Sequence, residues 1–99
     1  MVNRIVVWDF EALDQLKECY DYLNNKSIKS AKKVKDSILA ETRKIAEHPE
    51  KFPLDKFKID NDGYFRAFEK YNFRISYRIN QNEIRILRIR HIKRNPLKY

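Results

Sequence analysis

The chain has 99 residues, 42% hydrophobic and 13% aromatic, with a formal net charge of +8; that length supports about one hydrophobic core, so a single domain over residues 1–99 is expected. One Gly and three Pro exclude collagenous, linker-like and low-complexity classes, and the aromatic content argues against disorder despite 36% charged residues. The single cysteine, Cys19, cannot close an internal disulfide, no Cys/His cluster has metal-ligand spacing, and no stretch approaches the roughly 18 apolar residues of a membrane span, so a cytoplasmic protein without a metal, a cofactor or a membrane partner is expected.

Residues 3–8 (Asn3, Arg4, Ile5, Val6, Val7, Trp8) are β-branched and aromatic and predict a short strand ending at Asp9. Asp9 is a residue type that caps helices, Glu11 sits in the favourable first turn, and Trp8 and Leu13 have the spacing of a hydrophobic staple, so a helix is expected to about Leu23. Its apolar stripe is Leu13, Leu16, Tyr20 and Leu23, with Cys19 near the edge as a small core filler rather than a nucleophile. Asn24 and Asn25 break that helix. Ser27 then caps a second one, in which Ile28, Ala31, Val34, Ile38, Thr42 and Ile45 share a face as far as Pro49. Helices joined this tightly predict an antiparallel hairpin. The second helix carries Lys29, Lys32, Lys33, Lys35, Arg43 and Lys44 on its outer face, a pattern that reads as solvated surface, and His48 reads as C-terminal capping.

Residues 48–63 contain Pro49 and Pro53 and end in Asn61-Asp62-Gly63, so they read as a connecting loop with Phe52, Leu54, Phe57 and Ile59 as apolar anchors. Strands follow over residues 64–71 and 73–79, the latter alternating Phe73, Ile75, Tyr77, Ile79 with Arg74, Ser76, Arg78. Asn80, Gln81 and Asn82 make a tight turn into a last strand over residues 83–92, whose pattern slips phase at Ile86-Leu87 and so predicts a strand buried on both faces or a bulge. Pro96 stops ladder pairing, and the tail after it should leave the sheet and lie across its face. The order is β-α-α-β-β-β: an α+β fold with an antiparallel three- to four-stranded sheet packed on an N-terminal helical hairpin, and arginines on the uncovered sheet face.

The charge is segregated. Residues 1–63 hold twelve basic and twelve acidic side chains, whereas Arg66, Lys70, Arg74, Arg78, Arg85, Arg88, Arg90, Lys93, Arg94 and Lys98 face only Glu69 and Glu83, so the whole excess sits in the last third. Seven of those ten are Arg, whose planar fork pairs bidentately with phosphate or carboxylate, so an anionic partner is expected, either nucleic acid or an acidic protein. No Gly-rich phosphate loop, Ser/His/Asp set, HExxH or paired-Cys motif is present. Arginines can hold a phosphodiester while a His or Tyr moves the proton of a 2′-hydroxyl, which makes metal-free RNA cleavage one chemistry open to Arg74, His91, Arg94 and Tyr99. His91 serves equally well as a hydrogen-bonded structural residue. A basic nucleic-acid-binding module is a lesser alternative, and it would show steep salt dependence.

The helical hairpin followed by FRAFEKYNFRISYRINQNEIRILRIRHIKRNP resembles the RelE/ParE superfamily of toxins of type II toxin–antitoxin modules, over essentially the whole chain. The combination of FRISYRI, a short turn and IRILRIRHIKRNP carries the likeness. The resemblance implies a small cytoplasmic toxin that inhibits growth, as in plasmid stabilisation, and is neutralised by a cognate antitoxin whose acidic or amphipathic C-terminal segment wraps the helices and sheet. It also implies that operator DNA is met only through the antitoxin complex. Two activities occur in the superfamily: RelE-like members cleave mRNA in the ribosomal A site, and ParE-like members inhibit DNA gyrase. Arg74 and Arg94 match the RelE-type arginines and Tyr99 stands one residue from the C-terminal catalytic tyrosine, but Phe65 and Ala67 occupy the positions of two RelE-type lysines. His91 and Tyr99 are similar to the His/Tyr end of YoeB-like members, although eight positions apart. The Arg88-x-x-His91-x-x-Arg94-x-Pro96 ending is similar to ParE-type sequences, so a ParE-like toxin acting on gyrase is expected ahead of a RelE-like ribonuclease. Target-binding residues are then expected at Arg66, Arg74, Arg78, Arg88, Arg90 and Arg94, and antitoxin-binding residues at Leu13, Leu16, Tyr20, Leu39 and Arg78.

Overall fold

The structure, a computed structural model, describes residues 4–94 and 98–99. Its elements are β1 (Ile5–Trp8), α1 (Phe10–Asn24), α2 (Ile28–Glu47), β2 (Phe65–Lys70), β3 (Phe73–Ile79) and β4 (Glu83–His91). The four strands form one sheet in the order β1-β4-β3-β2. The chain thus has the expected α+β order, with one correction. The sheet is mixed, because β1 runs parallel to β4, Ile5 opposite Glu83 through Trp8 opposite Ile86. The two helices between β1 and the hairpin strands provide the long crossover that parallel pairing requires.

The α2 stripe behaves as its spacing demands: Ala31, Val34, Ile38, Thr42 and Ile45 are buried, and the Ser27 hydroxyl accepts from the Ser30 amide at 3.3 Å. Ile28, the first residue of α2, is exposed instead. In α1 the buried stripe is Ala12 and Leu16 with half-buried Cys19 and Leu23, whereas Leu13 is 45% exposed. Asp9 stands at the N-cap but makes no side-chain cap bond; its carboxylate accepts from Arg85 Nη1 at 2.6 Å instead. A charge-assisted bond to guanidinium outcompetes a bond to an amide that can also reach water.

The β2–β3 hairpin turns on Tyr71 and Asn72, both with positive φ (49° and 69°), the pairing of left-handed residues that matches strand twist. Between β3 and β4 the register shifts: Tyr77 faces Ile86, but Ser76 faces Arg88, so Leu87 is the extra residue of a bulge. This realises the bulge alternative. Ile84 and Ile86 before it and Ile89 after it all reach the core, where they meet Ile75, Tyr77, Phe68 and Ile38. The expected contributions of Asn3, Asn95 and Pro96 lie outside the described residues.

Among the described residues no helix is long and apolar enough to cross a membrane, and no three His, Cys, Asp or Glu side chains group so as to hold a metal ion.

Candidate functional site

Strand alternation places Arg74, Ser76 and Arg78 of β3 on the sheet face away from the helices, and the Leu87 bulge restores the same phase to Arg88 and Arg90 of β4. Without that extra residue Arg88 and Arg90 would fall in phase with Ile84 and Ile86. Arginines therefore meet arginines across the ladder, Arg78 opposite Arg85 and Arg74 opposite Arg90. Like charges directly opposed are destabilising. Acidic side chains from other segments offset this: Arg74 pairs with Asp55 (2.8 Å) and Glu69 (3.3 Å), Arg78 with Asp62 (3.1 Å), and Arg85 with Asp9 (2.6 Å) and Glu83 (2.7 Å).

The face expected to be uncovered is covered at its centre by the loop that precedes β2. Asp55, only 2% exposed, is the hub. Its Oδ1 accepts from Arg74 Nη2 and from the Phe57 amide (3.1 Å), and its Oδ2 accepts from the Tyr99 hydroxyl at 2.6 Å. Burial pushes the Asp55 carboxyl up, but the bonds from Tyr99, Arg74 and Phe57 outweigh it and hold the group below the usual carboxylate range. Burial and the Asp55 partner push the Tyr99 hydroxyl well above the ordinary tyrosine range. The Tyr99 amide donates to the Phe57 carbonyl, its ring meets Phe65 edge-on, and the Arg88 guanidinium lies 4.0 Å from the ring centre. Tyr99 thus lies against the sheet face, while residues 95–97 are outside the described residues. Phe57 and Phe65 also seat cations, Arg74 at 4.8 Å and Arg78 at 4.5 Å from the respective ring centres.

Of the expected loop anchors, Phe52 stacks on Phe68 and Phe57 packs under Arg74, but Leu54 and Ile59 are exposed. The buried residue of that loop is an acid instead. Asp55 was legible only as one carboxylate among several, because its partners are 19 and 44 positions away.

Arg66 is a correction. It pairs opposite Tyr77, on the helix side of the sheet, where its Nη1 donates to the Phe52 carbonyl at 2.6 Å. The four catalytic candidates also divide. Arg74 and Tyr99 meet on Asp55, whereas His91 packs edge-on against Phe73 and shares with Arg94 the wall of a separate cavity between α1 and the end of β4. His91 Nδ1 accepts from the Lys93 amide at 3.1 Å. Phe65, opposite Arg78, packs against Tyr99, and Ala67, opposite Ser76, is buried.

The expected antitoxin-binding residues do not form one surface. Leu16 is 9% exposed and belongs to the core, Leu39 is half-buried against it, and half-buried Tyr20 lies beside Lys35. Leu13 is exposed on α1, while Arg78 is on the opposite sheet face. The reason is that a helix stripe at core spacing is taken up by the chain's own sheet before any partner can use it.

A family model described as the ParE toxin of type II toxin–antitoxin systems, parDE, matches residues 6–96. The fold is similar to that of a chain from the chromosomal ParDE toxin–antitoxin system of P. aeruginosa, with a TM-score of 0.71, 21% sequence identity, and coverage of 92% of this chain and 98% of that one. No curated protein matches.

Proposed function

This chain belongs to the ParE toxin family of type II toxin–antitoxin systems, and from that premise we propose that it arrests growth through DNA gyrase rather than by cleaving ribosome-bound mRNA. It is a toxin of the ParE kind with a cognate antitoxin as its partner. The observation that carries the choice of target is the division of the nuclease candidates. Metal-free cleavage needs a proton acceptor, a proton donor and phosphate-holding cations within about 3 Å of one scissile group. Here Arg74 and Tyr99 are tied to Asp55, and His91 and Arg94 stand at a different cavity. Tyr99 donates its proton to a carboxylate and resists ionisation, so it does not serve as a base. No lysine stands at positions 65 and 67.

The surface offered to the target is the arginine face, where Arg74 and Arg78 are held by acids and aromatic rings, Arg88 lies over the Tyr99 ring, and Arg90 stands opposite Arg74. The chain works in the cytoplasm as a single domain, and operator DNA is met only through the complex with antitoxin. The test titrates purified, antitoxin-free protein into a gyrase reaction on relaxed plasmid. Dose-dependent loss of supercoiling is expected. Unchanged supercoiling, with new mRNA 5′ ends in the A-site codon of stalled ribosomes by primer extension, would overturn the gyrase assignment in favour of the ribonuclease. Steeply salt-dependent binding to bare duplex DNA without either effect would leave a nucleic-acid-binding module.

A further inference from the structure

The cavity at the end of β4 has a volume of about 320 Å³ and shares Arg90 with the arginine face. Its apolar lining is Phe73, Ile89, Cys19 and the ring of Tyr22, and its polar lining includes Arg90, His91 and Arg94. Its position follows from strand lengths. β1 pairs with β4 only as far as Ile86, so beyond the bulge the outer edge of β4 faces α1 rather than a strand. Gln15 of α1 accepts from the Ile89 amide at 2.6 Å and so closes the ladder there. At Ile89, therefore, the groove offers side chains rather than a free amide.

Among the described residues, the cations of this groove lack the carboxylate partners that hold Arg74, Arg78 and Arg85. Arg74, Arg78 and Arg85 each have a carboxylate within 4 Å. Among the described residues Arg90 and Arg94 have none, and the Nε of Arg90 is buried with no hydrogen-bond partner. At the rim Lys26 donates to the Tyr22 hydroxyl at 2.8 Å and adds a further cation. The one acid of the lining, Glu18, is exposed and pairs with neither arginine. Two guanidinium groups without a carboxylate partner beside an apolar floor are complementary to a carboxylate flanking an apolar side chain.

We infer that this cavity receives a partner segment carrying an apolar anchor residue beside one or more carboxylates, and that the antitoxin supplies it. The inference rests on the toxin–antitoxin reading for the identity of the partner and on the cavity for its location. The anchor fills the space over Phe73 and Ile89, and its neighbouring carboxylates pair with Arg90 and Arg94. These residues replace the scattered set expected from the sequence.

The test uses the full chain and the antitoxin encoded beside it. Affinity is measured by calorimetric titration for the parent, for Arg94→Glu and for Lys29→Glu, a reversal of equal charge on the exposed side of α2. Cys19, the chain's single cysteine, reports on occupancy through its rate of alkylation by N-ethylmaleimide, free and in the complex. Arg94 is exposed, so its replacement leaves the fold intact. The expected result is at least tenfold weaker binding for Arg94→Glu, less than threefold for Lys29→Glu, and at least tenfold slower alkylation of Cys19 in the complex. Equal losses for the two variants, or a Cys19 that reacts as fast in the complex as free, would overturn the location. A parent chain that does not bind the antitoxin would overturn the toxin–antitoxin reading itself.

Discussion

Replacing Asp55 by Ala removes the acceptor shared by Arg74, Tyr99 and the Phe57 amide. The Asp55 side chain has no solvent exposure and that of Arg74 has 14%, so the guanidinium left behind recovers little hydration. Removing one partner of a buried ion pair costs roughly 3–5 kcal/mol. The lower end, about 3 kcal/mol, applies here because Arg74 keeps Glu69 at 3.3 Å. A domain of this size loses about 4–8 °C of melting temperature per kcal/mol, so a drop of roughly 12–24 °C is expected in a thermal melt followed by circular dichroism. Tyr99→Phe removes one hydrogen bond to a charged acceptor and should cost about 1.5–3 kcal/mol. The double variant should lose less than the sum of the two, since both act on one carboxylate. An Asp55→Ala protein melting within about 4 °C of the parent would refute the assignment of this loop as the keystone of the arginine face.

The same carboxylate gives stability a pH dependence. Its folded value is depressed, so its contribution is present above the unfolded value of about 4 and is lost as pH falls through the folded one. Urea unfolding between pH 6 and pH 2, taken as rough bounds around that value, should show a steeper acid loss for the parent than for Asp55→Asn; parallel curves would count against the network. Tyr77 is fully buried, its hydroxyl donates to the Pro49 carbonyl at 2.8 Å, and burial pushes that hydroxyl up to about 12. Tyr77→Ala should cost about 3–5 kcal/mol and Tyr77→Phe only about 1 kcal/mol in denaturant titration; a fully stable alanine variant would mean that the core face is misassigned. Gln15→Ala leaves the Ile89 amide without its acceptor, so it should lose about 1–3 kcal/mol and exchange that amide hydrogen faster; unchanged exchange would show that the edge of β4 is closed by something else.

Much of the fold was legible in local patterning. Periods of 3.6 and 2 marked the helices and the strands of the hairpin, because a residue's side of an element is a property of its own spacing. The phase slip at Ile86-Leu87 announced the bulge for the same reason. Even the error over Arg66 was avoidable: a two-residue turn at Tyr71 and Asn72 pairs Lys70 with Phe73, and counting back from there sets Arg66 opposite Tyr77. The candidate site was less legible. Seven arginines in the last third were visible as a charge excess, but their partners Asp9, Asp55 and Asp62 come from segments that read as a cap and a loop.

By itself, then, the sequence determined the order of elements, most of the hydrophobic faces and the charge excess of the C-terminal third, all of which follow from short-range spacing and summed charge. Only the tertiary structure decided the parallel pairing of β1, the covering of the arginine face by Asp55 and Tyr99, and the separation of His91 and Arg94 from Arg74. Those depend on contacts spanning tens of residues, where the pairing energy of any one acid with any one arginine is nearly the same and only chain closure and packing choose between them.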